Sequence, residues 1–142
     1  MSDPRCVVII PSFNTGPILR ETIASAIEHA APIPVRVIVD GSTDGSPALL
    51  DPLVAKYPDQ LRVITLPTNS GKGNAVLHGL RTAIEEGFTH ILTMDADGQH
   101  PGSFIPRFLK QAASHPDAAV FGRPVFDPSA PALRVKIGRA HV

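Results

Sequence analysis

Cysteine is nearly absent from this 142-residue chain, and neither sign of charge is in surplus. The single Cys6 excludes an intrachain disulfide framework, and its place in the apolar run Cys6-Val7-Val8-Ile9-Ile10 favours packing over reactivity. Lys and Arg total 13, as do Asp and Glu. The basic excess of a dedicated nucleic-acid or polybasic membrane binder is therefore missing, and any anion binding must be local. No apolar stretch approaches the ~18–20 residues that span a bilayer, and residues 6–10 are too few for a signal-peptide core. The chain as given reads as soluble and cytoplasmic, with membrane contact expected only from sequence beyond its C-terminal end. Its 11 glycines and 15 prolines stay below the roughly 25–30% share that marks disordered chains. The length suits one domain of about 100–200 residues.

What is present is alternation. Strand-length apolar runs at 6–10, 35–39, 61–66, 90–94 and 118–121 are separated by helical spacing at 17–29, 47–56, 73–86 and 103–114. Pro17 and Pro47 suit first helical positions, with Gly16 and Ser46 ahead of them as caps, and Gly87 suits a helix stop. The pattern predicts an α/β, Rossmann-like fold with a mostly parallel sheet. Because the runs are continuously apolar and β-branched, helices should cover both faces. Such sheets bind ligands at the carboxyl ends of their strands, so the loops after each strand matter most.

Four of those loops carry unusual polar chemistry. In Asp95-Ala96-Asp97-Gly98-Gln99-His100-Pro101, side chains of an extended segment alternate faces, so Asp95, Asp97 and Gln99 at i, i+2 and i+4 can point one way. Two carboxylates and an amide oxygen form a hard-cation set that suits Mg²⁺ or Mn²⁺ better than zinc, with positions left for diphosphate oxygens. The bland alternative is an acidic turn that caps the following helix. An EF-hand is excluded, since its twelfth, acidic position would be Pro106. His100 reads as a hydrogen-bonded turn residue rather than a ligand.

Ser70-Gly71-Lys72-Gly73-Asn74 opens a helix, where free backbone N–H groups, glycines and the helix dipole make an anion site. A lysine there opposes the dipole by a few tenths of a kcal/mol, which makes sense with an anion between them; the alternative is a solvated side chain. Gly73 stands where a P-loop has Ser or Thr, and Pro11-Ser12-Phe13-Asn14 stands where a dinucleotide fingerprint would lie. ATP hydrolysis and NAD binding are both disfavoured. Asp40 can accept hydrogen bonds from a nucleobase, with Ser42 and Thr43 as adaptable hydroxyls, while Asp44 reads as a turn former toward Ser46-Pro47. Pro11 and Phe13 offer a rigid turn and an aromatic face for a base, although Phe13 equally suits a core.

In order, Ile10-Pro11-Ser12-Phe13-Asn14, Val39-Asp40-Gly41-Ser42-Thr43-Asp44-Gly45-Ser46, Asn69-Ser70-Gly71-Lys72-Gly73-Asn74-Ala75 and Met94-Asp95-Ala96-Asp97-Gly98-Gln99-His100-Pro101 resemble the family 2 glycosyltransferases of GT-A fold. The last motif is especially similar to the polyprenol-phosphate hexosyltransferase branch, which includes dolichyl-phosphate mannose synthases. Two departures stand out. Asp40 is followed directly by Gly41, where the family usually has one more residue, and Thr15-Gly16 replaces an acidic residue of the polyprenol branch.

The resemblance implies transfer of a sugar, with inversion, from a UDP-, GDP- or dTDP-linked donor to an acceptor such as a polyprenyl phosphate. It implies Asp95, Asp97 and Gln99 as ligands of Mg²⁺ or Mn²⁺ and the diphosphate, Asp40 on the base, and Pro11 with Phe13 lining the nucleotide pocket. Ser42, Gly71 and Lys72 complete the candidate donor site. Asp127 and Arg123 are loosely placed candidates on the acceptor side. The competing readings are a sugar-phosphate nucleotidyltransferase, which places a basic Gly-rich loop after its first strand, and an inactive nucleotide-binding remnant.

The chain is shorter than such transferases, so residues 1–136 read as the donor-binding part, C-terminally truncated and poorly stable alone. Residues 137–142 read as a non-native tail, since Ile-Gly-Arg-Ala-His-Val is what the sequencing-adapter stretch ATC GGA AGA GCA CAC GTC encodes.

Overall fold

The computed structural model describes residues 5–122 and Pro128. The strands β1 (Cys6–Ser12), β2 (Val35–Asp40), β3 (Leu61–Leu66) and β4 (His90–Thr93) form one sheet in the order β3-β2-β1-β4. All three pairings are parallel. The chain steps outward from β1 to β3 and then crosses back to place β4 on the other side of β1. That reversal makes the carboxyl ends of β1 and β4 the switch point, the place at which such sheets bind ligands.

The core explains why the central strands are mostly apolar, while Arg36 of β2 and Arg62 and Thr65 of the edge strand β3 interrupt the runs. Val8, Ile10, Val35, Val37 and Val39 face α1 (Ile18–Ala30), which buries Leu19, Ile23, Ala26 and Ile27 against them. Val7, Ile9 and Ile38 face the other way onto Ala75 and Ala83 of α3 (Lys72–Glu85). Each such aliphatic side chain contributes about 1.5–3 kcal/mol when fully buried. Helix α3 approaches closely because Gly79 has no side chain: a Cβ there would lie 2.7 Å from Ile9 Cγ2. Ile105 of α4 (Ile105–Ser114) joins the α1 side, as does Leu53 of α2 (Asp51–Lys56). The expectation of helices on both faces therefore holds.

Pro11 lies inside β1 although it cannot donate to a ladder. Val8 donates to Pro34 O, so even-numbered residues of β1 direct their N–H toward β2 and odd-numbered ones toward β4. The β4 ladder ends at the Ile9–Thr93 pair, so the missing donor of Pro11 falls beyond it.

Three expectations are corrected. Residues 118–121 form no strand; Val120 is 37% and Phe121 87% exposed. Ser46 is not a cap but the first residue of a 3-10 turn, Ser46–Leu50, that precedes α2. Its hydroxyl instead donates to Asp44 Oδ1 at 2.6 Å. Pro17 occupies the position before α1 rather than its first residue. Gly87 does end α3, with φ +81° and its N–H on Ile84 O. Burial pushes the Cys6 thiol pKa up, in keeping with a packing role. Arg123, Asp127 and the tail at 137–142 lie outside the described residues.

Candidate functional site

The four polar loops meet along the carboxyl edge of the sheet, and side-chain contacts join them in sequence. The first and second are clamped by Asn14, which has φ +45°. Its backbone N–H donates to Ser42 Oγ at 3.1 Å, and its Oδ1 accepts from Thr43 N at 2.7 Å. Asn is among the few residues that tolerate this left-handed backbone. Nearby, Ser12 and Thr15 share a hydroxyl hydrogen bond at 2.8 Å. Pro11 is buried at the strand end, whereas Phe13 is 49% exposed at the rim. The open choice for Phe13 is thus decided against the core.

The second and third loops are joined by Asp40. It is only 2% exposed, and its Oδ1 accepts from both Ser70 N at 2.9 Å and Ser70 Oγ at 2.8 Å. Its Oδ2 is buried without a hydrogen-bond partner. Gly41, at φ +68°, packs against the same loop so tightly that a Cβ would sit 2.3 Å from Asn69 N. Asp44 takes Ser46 N at 3.0 Å as well as the Ser46 hydroxyl, the turn role expected of it. Those bonds hold its carboxyl pKa below the usual carboxylate range.

The third loop turns on itself before α3. Asn69 Oδ1 accepts from Gly71 N at 3.0 Å, Asn74 Nδ2 donates to Ser70 O at 2.7 Å, and Gly71 has φ +91°. Lys72 then begins α3 and reaches the fourth loop, where its Nζ pairs with Asp95 Oδ1. Within the chain itself the partner of this lysine is the Asp95 carboxylate.

In the fourth loop Met94 and Ala96 are buried while Asp95 is half-buried and Asp97 exposed. This alternation of period 2 sets both carboxylates on the outward side. It stops at Gly98, with φ +79°, where Asp97 Oδ1 accepts from Gln99 N at 3.0 Å. The strand itself ends at Thr93 and the chain bends from Ala96 to His100, so Asp97 and Gln99 are both carried by the turn rather than by an extended segment. His100 is a turn residue, as expected: Asp95 N donates to its Nδ1 at 2.9 Å, and its Nε2 lies 3.7 Å from Asp95 Oδ2.

The donor set suits a hard divalent cation: Asp95 and Asp97 offer carboxylate oxygen and Gln99 amide oxygen. Among the described residues no group of three or more His, Cys, Asp or Glu forms a closed metal cage. Asn14, Ser70 and the loop-joining side of Asp40 were not legible as site features. The signals available were an Asn before Gly16, typical of left-handed turns, and a Ser two positions before Lys72.

Comparison with known proteins bears on family and fold. The family model described as Glycosyl transferase family 2 matches residues 7–139. A polyprenol monophosphomannose synthase of Mycolicibacterium smegmatis is 34% identical over 120 residues, 84% of this chain and 45% of that protein. An undecaprenyl-phosphate mannosyltransferase of Micrococcus luteus is 32% identical over 106 residues, covering 75% and 43%. Among solved structures, a mannosyltransferase from Pyrobaculum calidifontis in complex with GDP-Man and Mn²⁺ superposes with a TM-score of 0.60 at 29% identity, over 68% of this chain and 28% of that one. The chain spans less than half the length of these relatives. Among the described residues no helix is long and apolar enough to cross a membrane.

Proposed function

The chain belongs to glycosyl transferase family 2, and from that premise we propose that it is the donor-binding part of a GT-A transferase moving a sugar from a nucleotide diphosphate to a polyprenyl phosphate. The observation that carries this is the outward pair Asp95 and Asp97 at the β1/β4 switch point, reached by Lys72 from the neighbouring loop. The acceptor class rests on the names of the two bacterial relatives. The cytoplasm is the proposed setting.

In this reading Asp95, Asp97 and Gln99 hold Mg²⁺ or Mn²⁺. When bound, the ion supplies Lewis-acid stabilisation of the charge that grows on the departing diphosphate. The chain's own groups orient the donor. Lys72 and the backbone N–H groups at the start of α3 add positive potential beside the diphosphate. Phe13 offers an exposed ring and Pro11 a fixed strand end for the base, with Ser42 held in place by Asn14. Asp40 positions the third loop through Ser70, while its Oδ2 is buried away from the rim where a base would lie.

Calorimetric titration with GDP-, UDP- and dTDP-sugars, with and without Mn²⁺, tests this reading. Binding that needs Mn²⁺ and is lost in Asp97→Asn is expected. Nucleotide binding indifferent to Mn²⁺ would instead mark a remnant, and turnover of a nucleoside triphosphate with a sugar phosphate would mark a nucleotidyltransferase.

A further inference from the structure

We propose that Lys72 and the divalent ion compete for Asp95, so that the ion and the nucleotide diphosphate bind as a coupled pair. This rests on the reading of Asp95 and Asp97 as metal ligands. The ammonium of Lys72 sits on Asp95 Oδ1. The other oxygen, Oδ2, has only the looser approach of His100 Nε2 at 3.7 Å. Lys72 is therefore the main counter-charge of Asp95. Among the described residues Asp97 makes no ion pair, so the competition is confined to one carboxylate of the two.

A cation on Asp95 and the Lys72 ammonium would share one carboxylate and repel each other at short range. Without nucleotide, Lys72 satisfies Asp95 and raises the cost of seating the ion. A diphosphate reverses this, because its negative oxygens attract both cations and can draw Nζ off Asp95. Lys72 is free to make that move: its side chain is 65% exposed, and it stands on the first turn of α3 behind Gly71. The diphosphate must then strengthen ion binding and the ion must strengthen diphosphate binding by the same factor. The placement of a lysine against the helix dipole acquires a purpose, since it holds the metal ligand in reserve until the donor arrives.

The test measures Mn²⁺ affinity of the 142-residue chain by the electron paramagnetic resonance of free Mn²⁺, alone and with saturating GDP or UDP. Wild type, Lys72→Met and Lys72→Arg are compared. Lys72→Met is expected to bind Mn²⁺ alone about tenfold more tightly than wild type and to lose a similar factor of the nucleotide-induced strengthening, within the usual range of coupling. Lys72→Arg, which keeps the charge, is expected to behave as wild type. Equal Mn²⁺ affinity of wild type and Lys72→Met without nucleotide overturns the competition while leaving the metal site standing. No Mn²⁺ bound by any variant, with or without nucleotide, overturns the metal reading beneath it.

Discussion

Asp40 Oδ1 accepts two hydrogen bonds from a single residue, Ser70, one from its N–H and one from its hydroxyl. Through this pair the end of β2 fixes the loop that opens α3, and so the place from which Lys72 reaches Asp95. An Asn at position 40 can keep the Oδ1 acceptor but puts an amide at the buried Oδ2, where no partner waits. Since Oδ2 is unpartnered in the wild type as well, the expected loss of about 1–2 kcal/mol in Asp40→Asn comes from the two Ser70 bonds, which no longer have a carboxylate acceptor. Asp40→Ala also frees Ser70 and should weaken nucleotide binding. Chemical denaturation together with nucleotide calorimetry reads both effects, and an unchanged denaturation midpoint in Asp40→Asn would contradict the first.

Gly41 carries a second, steric condition on the same contact. A side chain at this position meets backbone, not a movable group, with Cβ 2.3 Å from Asn69 N and 2.4 Å from Thr68 C. The positive φ adds strain of about 1–3 kcal/mol. Gly41→Ala is expected to destabilise by at least that amount and to push the third loop away from Asp40. Gly45 offers the control, because its φ is similar but a methyl group added there would have no atom within 4 Å. Gly45→Ala should show the backbone strain alone, and equal losses in the two variants would remove the steric argument.

The fold was legible where burial on both faces left a one-dimensional signature. The runs in β1 and, apart from Arg36, β2 are apolar and β-branched because α1 and α3 cover them, whereas β3 at the sheet edge exposes Arg62 and Thr65. The segment 118–121 failed for the same reason. Its Ala-Ala-Val-Phe carries only two residues with strand preference, and both are exposed. In the site, residue types and loop positions were legible, and Asp95 and Asp97 are both more exposed than Met94 and Ala96, although the segment bends from Ala96 onward. Contacts across the chain were not. The Asn14–Thr43, Asp40–Ser70 and Lys72–Asp95 pairs join residues far apart in sequence, and only the order of strands in the sheet brings them together.

Asn14 separates backbone strain from side-chain bonding in one position. Asn14→Ala removes the bond to Thr43 N and leaves a residue that disfavours φ +45°. Asn14→Gly removes the same bond but accepts the backbone. Thermal unfolding is expected to rank wild type above Asn14→Gly and Asn14→Gly above Asn14→Ala, with about 1 kcal/mol for the lost hydrogen bond. Both variants should weaken nucleotide binding, because Thr43 loses the side chain that fixes it while Ser42 keeps its bond from the backbone N–H of residue 14. An Asn14→Ala variant as stable as Asn14→Gly would show that the turn is not strained.

Asp44 gives the site a dependence on acid whose sign follows from its bonds. The Ser46 hydroxyl and N–H favour the charged carboxylate, so its folded pKa lies below the ordinary 3.8. A group with a depressed folded pKa contributes stability that is fully present above its unfolded value and is lost as pH falls through the folded value. The stability difference between wild type and Asp44→Asn is therefore expected to be constant from neutral pH down to the ordinary carboxylate pKa and to shrink below it. Denaturation midpoints of the two proteins, compared at neutral and strongly acidic pH, check this. A gap that widens in acid would mean that the Ser46 bonds favour the protonated carboxyl instead. The 3-10 turn that they brace would then have to be held by the packing of Leu50.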